Sequence, residues 1–400
     1  MNSSTQRRKL LEMMVASLEI PESAYETAKK RYEDIGGFLG RGESICFKND
    51  PHVFPQGSFR LGTAIRPLND NEEYDLDLAC SLTEGISTRT HTQADLKKLV
   101  GKEIHSYRTA RQIKAEPAEK HRCWRLEYED GMSFHMDIVP SIPEDDVHRQ
   151  LLTESMIKSG QTRFMSEDVT AYALSITDDR HPNFNRIADD WNVSNPEGYA
   201  RWFESRMRGE NVLLLEKAAQ VDSLPLYKRK TSLQQTIQLL KRHRDQMFRK
   251  DPEVKPISII ITTLAAAGYS DATSLEEALS GILNTLSAFA NSGKSFVPNP
   301  VNPEENFADR WMMPEYQHLR LRDNFRSWVT QACADFDALT SSTDTGFIAE
   351  NVLQKMSVRA NAKDIGTLLG FSSSASVHVP KHHEISTNSA RPWAKEVRSA

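Results

Sequence analysis

Cysteine is scarce in this chain and is not arranged for metal binding or cross-linking. Only 4 of the 400 residues are cysteines. They are widely spaced and form no Cys-x-x-Cys pair, at positions Cys46, Cys80, Cys123 and Cys333. This pattern indicates neither a disulfide framework nor a zinc site, and it favours reduced thiols in the cytosol.

Long hydrophobic runs are also missing. The longest apolar stretch, residues 257–268, is interrupted by Ser258, Thr262 and Thr263 and is too short to span a bilayer. Near the start, three basic residues precede an apolar run that contains Glu12 and is followed by no small-residue cleavage site. A secretory signal therefore does not fit, and we predict a cytoplasmic protein without a membrane partner.

The chain has no excess of positive charge. Lys and Arg number 50 against 55 Asp and Glu, which gives a formal net charge of −5 and a pI of about 6.2. Proteins that bind nucleic acid without sequence preference draw their affinity from phosphate neutralisation, so the acidic balance argues against that class. Hydrophobic content of 38% and charged content of 26% are typical of a globular protein of two or three domains.

The most informative residues present are Asp75 and Asp77, in the short run Tyr-Asp-Leu-Asp-Leu at residues 74–78. The run is apolar apart from its two acids and predicts a strand. Side chains alternate along a strand, so both carboxylates point to one face while Leu76 and Leu78 point into a core. The repulsion between two such acids is about 2–3 kcal/mol at an effective dielectric constant near 20. A divalent cation such as Mg²⁺ converts that repulsion into binding energy.

A third acid, Asp137, follows in a predicted β-hairpin over residues 122–140. Asp130-Gly131 is a strong turn signal between two aromatic-rich strands. In the second strand Asp137 shares the less apolar face with His135 and Val139. If this strand neighbours the first, three carboxylates converge, which is the minimum set for two Mg²⁺ ions that clamp an in-line phosphoryl displacement.

The Gly57-Ser58 pair lies between a predicted short strand and a helical turn, and Ser58 precedes Asp75 by 17 residues and Asp77 by 19. Gly57 permits close backbone approach, and Ser58 offers a hydroxyl beside turn amides that suit phosphate. Taken singly, a Gly-Ser pair is most often an ordinary turn, and an Asp-x-Asp pair is often a solvated face. The ordered set of Gly57-Ser58, Asp75, Asp77 and Asp137 points instead to nucleotidyl transfer.

With these motifs the chain resembles the polymerase-β-type nucleotidyltransferase superfamily. Within it, the chain is similar to the bacterial cGAS-like cyclic dinucleotide and trinucleotide synthases, the CD-NTases. The resemblance is carried by residues 55–67 (PQGSFRLGTAIRP), 74–78 (YDLDL), 136–140 (MDIVP), 239–245 (LLKRHRD), 256–260 (PISII) and 299–311 (NPVNPEENFADRW). The last three stretches, in that order, point to the cyclic-oligonucleotide branch.

The resemblance implies roles for particular residues. Asp75, Asp77 and Asp137 would be catalytic and would hold two Mg²⁺ ions, with Mn²⁺ as a substitute. Asp137 would also help to activate the attacking hydroxyl. The donor nucleotide would be contacted by a further set of residues: Gln56, Gly57, Ser58, Lys241, Ser258, Asn306 and Asp309.

The resemblance also implies an architecture and a biological setting. We expect an α+β fold with a mixed β-sheet in a nucleotidyltransferase core (residues 1–225, including the N-terminal helices). A helical C-terminal domain (226–371) and a flexible tail (372–400) would follow, with the active site in the cleft between the domains. The product would be a cyclic di- or trinucleotide messenger made from ATP, GTP or pyrimidine NTPs during anti-phage signalling. Regulatory or tail-modifying proteins would be partners.

Two other functions fit the residues alone. The same carboxylates could transfer a nucleotide to an RNA 3′ end or to a protein hydroxyl. The second alternative is a nucleotide-binding scaffold without catalytic activity, although a scaffold has no reason to keep three repelling acids together.

Overall fold

The sheet that carries the predicted acids is mixed. The structure is a computed structural model, which describes residues 3–69, 73–128, 134–207 and 230–370. The strands of the sheet are β1 (Pro51–Pro55), β2 (Tyr74–Leu82), β3 (Ala118–Glu119), β4 (Trp124–Tyr128), β5 (Phe134–Pro143), β6 (Leu174–Ile176) and β7 (Asn192–Ser194). They pair in the order β1-β2-β5-β4-β3, and β6 joins the far end of β5 and pairs with β7. Only the β2–β5 pair among these is parallel.

Helices surround this sheet and form most of the C-terminal part. Those before residue 208 are α1 (Ser3–Leu18), α2 (Glu22–Leu39), α3 (Gly57–Arg60), α4 (Gln93–Ala110), α5 (Asp146–Lys158), α6 (Arg163–Thr170) and α7 (Pro196–Ser205). After residue 229 come α8 (Ser232–Met247), α9 (Ser258–Gly268), α10 (Leu275–Asn291), α11 (Leu321–Ser341), α12 (Thr345–Met356) and α13 (Ala362–Leu369). A small antiparallel pair, β8 (Pro298–Asn299) and β9 (Asn302–Asn306), lies between α10 and α11. The predicted α+β fold is confirmed.

Side chains in β2 and β5 alternate between an apolar and a polar face, as predicted. Leu76 and Leu78 are 1% and 0% exposed, and Met136 and Ile138 are both 0% exposed. These residues pack in a core with α2 and α4, which cover the apolar face of the sheet. The opposite face of the same two strands is left to the acids.

Within the described residues, the hydrophobic core has two large clusters, and one of them crosses the predicted domain boundary. One joins the sheet to α2 and α4. The other joins the helices after residue 229 to α7 and to Leu10, Leu11 and Met14 of α1. The apolar stripe of α1 therefore packs with the helical part, whereas the prediction grouped both N-terminal helices with the nucleotidyltransferase core. Sequence periodicity identifies such a stripe but does not identify its partner.

Most predicted elements are present, with shifted ends. The two N-terminal helices separate near Pro21, and the β4–β5 hairpin is antiparallel, although its Asp130-Gly131 turn lies outside the described residues. The helix predicted to begin after Pro225 begins at Ser232, where Thr231 accepts a hydrogen bond from the Gln234 N–H and forms a capping box. The predicted tail also lies outside the described residues. Within those residues, no helix has the length and apolarity needed to cross a membrane.

Candidate active site

Parallel pairing of β2 and β5 brings the three predicted acids together on the polar face of the sheet. Asp77 lies opposite Asp137 in the strand register, and Asp75 lies opposite His135. Ligand atoms of Asp75, His135 and Asp137 all lie within 4.8 Å of one another. The sequence placed the acids on their strands, and the register now places them side by side.

The pKa of Asp77 reflects its burial beside the other two acids. Burial, followed by the charges of Asp75 and Asp137, raises the pKa of Asp77 from 3.8 to about 7. In the metal-free protein this carboxyl therefore holds its proton up to near neutral pH. A cation bound between the carboxylates would favour the ionised form and lower that pKa.

Two basic side chains that were not predicted as site residues also face the acids. His135 Nε2 lies 2.9 Å from Asp75 Oδ1, and His135 Nδ1 lies 3.1 Å from Glu73 Oε2. The hydrogen bond to Asp75 raises the pKa of His135. The available signal was its position two residues before Asp137 on the same face of the strand.

Arg125 is the second of these residues, and it lies opposite Asp137 on β4. Its guanidinium donates to both oxygens of Asp137, with Nε at 2.7 Å from Oδ1 and a terminal nitrogen at 2.6 Å from Oδ2. This two-bond geometry fixes the plane of the Asp137 carboxylate. Cross-strand register decides such a pairing, and the sequence does not state the register.

The predicted phosphate turn lies directly against Asp77. Gly57 has φ of +62°, and a Cβ atom added there would lie 2.3 Å from Asp77 Oδ2. The Gln56 N–H donates to the Asp77 carbonyl at 2.8 Å, which holds the turn on β2. Ser58 Oγ makes no hydrogen bond within the described residues, and Ser58 lines the cavity above the acids. The Gln56 side chain instead donates to the Leu78 carbonyl at 3.3 Å.

A cavity of about 660 Å³ separates the acid-bearing strands from the helical part of the molecule. Its lining includes Ser58, Asp75 and Asp77 from one side and Lys241 and Ser258 from the other. With Gly57, six of the predicted site residues line one cleft. This volume suits a nucleotide-sized ligand.

A stripe of polar side chains on helix α8 contacts loop 61–66, which lines this cleft. Gln234, Gln238 and Lys241 donate to the carbonyls of Leu61, Ala64 and Thr63, at 2.9, 2.8 and 2.9 Å. The next residue, Arg242, donates to the Arg66 carbonyl at 2.5 Å. These donors pair with four backbone carbonyls of loop 61–66, which follows the phosphate turn.

Lys241 combines this structural contact with a place in the cavity lining. Burial, followed by the charge of Arg244, lowers the pKa of Lys241 from 10.5 to about 8. Loss of this charge near pH 8 would weaken the binding of an anion in the cleft.

We expect nucleotide affinity to weaken as the pH rises through about 8, because Lys241 then becomes neutral. The Lys241→Arg variant should keep its charge to higher pH, since an arginine is not deprotonated in proteins. KM for the NTP, measured between pH 7 and pH 9.5, should therefore rise in the wild type and stay flat in the variant. Parallel profiles in the two proteins would contradict this role of Lys241.

Ser258, at the start of α9, belongs to a small charged network beside Lys241. Arg244 donates to Ser258 Oγ at 2.8 Å and to Asp245 Oδ1 at 2.7 Å, and Lys255 lies 3.1 Å from the same Asp245 oxygen. The charges of Arg244 and Lys255 outweigh burial and lower the pKa of Asp245. Two cations thus share one carboxylate at the helical wall of the cleft.

Asn306 and Asp309 lie outside this arrangement. The Asn306 carboxamide oxygen accepts from the N–H groups of Val297 and Ala308, at 2.8 and 2.9 Å, and so braces a local turn. Asp309 accepts from the Arg310 N–H at 2.7 Å. Neither residue lines the acid-bearing cavity. We therefore leave both out of the proposed nucleotide contacts.

The side chains present fit a divalent metal. Asp75 and Asp137 offer hard carboxylate oxygens, Asp77 lies opposite Asp137 in the register, and burial together with the charges of Asp75 and Asp137 raises the pKa of Asp77. Oxygen donors of this kind suit Mg²⁺ or Mn²⁺, and His135 adds an imidazole nitrogen at the edge of the group.

Comparison with known proteins agrees with this geometry. Residues 51–140, which include the phosphate turn and all three acids, match a family model described as the nucleotidyltransferase domain of Cyclic GMP-AMP synthase DncV-like proteins. A c-di-GMP synthase of Roseivirga ehrenbergii is 29% identical over 326 residues, which cover 80% of this chain and 77% of that protein. The cyclic dinucleotide synthase CdnG of Bradyrhizobium diazoefficiens is 25% identical, over 77% of this chain and 70% of CdnG.

Solved structures share the fold over nearly the whole chain. The structure of Bradyrhizobium diazoefficiens CdnG in complex with GTP superposes with a TM-score of 0.62 and 18% identity, covering 91% of this chain and 98% of that one. Vibrio cholerae DncV, in complex with the linear intermediate 5′ pppA(3′,5′)pG, superposes with a TM-score of 0.52 and 16% identity, covering 91% and 83%. The matched domain and the curated relatives identify the chain as a nucleotidyltransferase similar to the bacterial cyclic dinucleotide synthases, and its fold is that of the solved structures CdnG and DncV.

Proposed function

We propose that this protein is a Mg²⁺-dependent synthase that joins NTPs into a cyclic dinucleotide, with GTP as a substrate. The observation that carries the proposal is the placement of Asp75, Asp77 and Asp137 beside one another, against the Gly57-Ser58 turn. The names of the curated relatives support the product class, and the c-di-GMP synthase supports guanine as a base.

In the proposed reaction a ribose hydroxyl of one nucleotide attacks the α-phosphorus of another. A new P–O bond forms, the bond to the β-phosphate oxygen breaks, and pyrophosphate leaves. Asp75, Asp77 and Asp137 would hold two Mg²⁺ ions, which when bound neutralise charge on the attacking and leaving oxygens. Asp137, oriented by Arg125, would accept the hydroxyl proton.

The remaining residues of the cleft would bind and orient the triphosphate. Ser58 Oγ and the turn amides would donate to it from the sheet side. Lys241 would face it from α8, and Ser258 would approach it from the start of α9. Positioning and charge neutralisation of this kind account for most of the catalysis in phosphoryl transfer. A second transfer within the linear product would then close the ring.

We extend the proposal to the biological role that similarity to the CD-NTases implies, which is signalling during anti-phage defence. In that setting the cyclic product would activate an effector, and regulatory proteins would be partners. One solved relative, CdnC of E. coli, is described as a complex with a HORMA protein, which supports the search for such a partner.

The test is incubation of the purified chain with each NTP alone and with all four, in Mg²⁺ and then in Mn²⁺. We expect a phosphatase-resistant product from GTP whose mass matches a cyclic dinucleotide. Label transferred to protein, or to added RNA, would support one of the other transfer reactions instead. Absence of any nucleotide transfer with both metals would refute the proposal.

A further inference from the structure

A second cavity of about 820 Å³ lies beside the acid-bearing one, and it is lined by three arginines. We call Arg66, Arg249 and Arg359 the arginine annex. The other polar residues of the lining are Asn69, Gln246 and Ser357, so among the described residues no carboxylate borders this cavity. In a chain of net charge −5, this is a local concentration of positive charge.

The three arginines form no ion pair with a described carboxylate. Arg249 donates to the neutral Asn69 Oδ1 at 2.9 Å, and Arg66 donates to the backbone carbonyl of Glu19. Arg359 is exposed at the rim. All three guanidinium groups therefore keep donors directed at neutral groups or at solvent.

Stabilisation of helix ends accounts for only part of this charge. Arg249 follows the last turn of α8, and Ser357 caps the C-terminus of α12. Each helix C-terminus carries about −0.5 of a charge, so two ends offset roughly one of the three positive charges. About two positive charges remain for another partner.

The annex is continuous with the proposed active site. Arg66, Leu68 and Arg249 line both cavities. A molecule bound over the acids can therefore extend directly into the annex, because the two cavities adjoin.

We propose that the arginine annex is a polyphosphate subsite at the mouth of the active-site cleft. This inference rests on the proposed function, in which two nucleoside triphosphates must be bound at once. The acids and their metals would hold one triphosphate. The second, or the pyrophosphate released, carries several negative charges and finds the paired guanidinium donors that phosphate groups favour.

The direct test is binding of inorganic tripolyphosphate, without metal, to the Asp75→Asn/Asp77→Asn protein by calorimetry. Adding Arg249→Gln and Arg359→Gln should weaken this binding at least about tenfold, because two charge-assisted contacts are lost. The matched control adds Arg8→Gln and Arg163→Gln, two exposed arginines outside both cavities, and should leave the affinity unchanged. An equal loss in the two pairs, or no loss in either, overturns the annex.

Turnover of the otherwise wild-type chain distinguishes the two sources of polyphosphate. If the annex holds the acceptor triphosphate, Arg249→Gln/Arg359→Gln raises KM for the NTP and leaves kcat largely intact. If it holds pyrophosphate, KM is retained and product inhibition by pyrophosphate weakens. Failure of the parent chain to turn over NTPs would reject the proposed function alone, since the binding measurement requires no catalysis.

Discussion

Replacing Asp75 and Asp77 together with asparagine is expected to abolish nucleotide transfer while the fold survives. The two carboxylates would lose their charge but keep their size, so metal binding fails and packing does not. Loss of about 4 kcal/mol of transition-state stabilisation corresponds to about a thousandfold in kcat, and we expect at least that. Product formation from NTPs, with circular dichroism as the check on folding, measures both halves of the prediction.

The same variant should be more stable than the wild type at alkaline pH without metal. The pKa of Asp77 is raised to about 7, so ionising it is harder in the folded chain than in the unfolded one. The wild type therefore loses stability as the pH rises from about 3.8 to about 7, and the variant does not. The difference in Tm should be near zero below that window and largest above it.

Asp309→Asn is the matched control for both measurements, because Asp309 is an exposed acid outside the cavity. It should retain activity, and its Tm should fall with rising pH as in the wild type, because Asp77 is still present. A fully active Asp75→Asn/Asp77→Asn protein would show that the assigned acids are not the catalytic ones.

Gly57→Ala should also lower kcat strongly, although it changes no charge. The added Cβ would lie 2.3 Å from Asp77 Oδ2, and the φ of +62° strains any residue with a side chain. Either the turn or the Asp77 carboxylate must move. A shift near 1 Å in a positioned group can cost about a hundredfold in rate, and we expect kcat to fall by at least that.

Gly42→Ala provides the control, because no atom of the described residues lies within 4 Å of a Cβ added there. It should leave kcat and metal affinity unchanged. Titration of Mn²⁺ by electron paramagnetic resonance should show weaker binding in Gly57→Ala only. Equal activity of the two alanine variants would mean that the turn does not need to approach Asp77 so closely.

Local features of the sequence were sufficient to predict the parts of the site that depend on alternation. Asp75, Asp77 and Asp137 lie on polar faces because Leu76, Leu78, Met136 and Ile138 must be buried. Gly57 was identified because its turn precedes the acids at a recognisable spacing.

Features that depend on contacts between distant segments were not predicted. The pairing of Arg125 with Asp137 follows from cross-strand register, and Asn306 is occupied by Val297 and Ala308. The packing of α1 against the helical cluster depends on which apolar surface is available to it. None of these is fixed by the period of a pattern within one segment.

The polar stripe of α8 has a consequence for control of the enzyme from a distance. Gln234, Gln238 and Lys241 donate hydrogen bonds to the backbone of loop 61–66. That loop follows the turn that faces Asp77. A protein that docks on the outer helices and tilts α8 would pull this backbone with it. The activity of the enzyme would then change with the position of α8, without any contact between the docked protein and the nucleotide or metal.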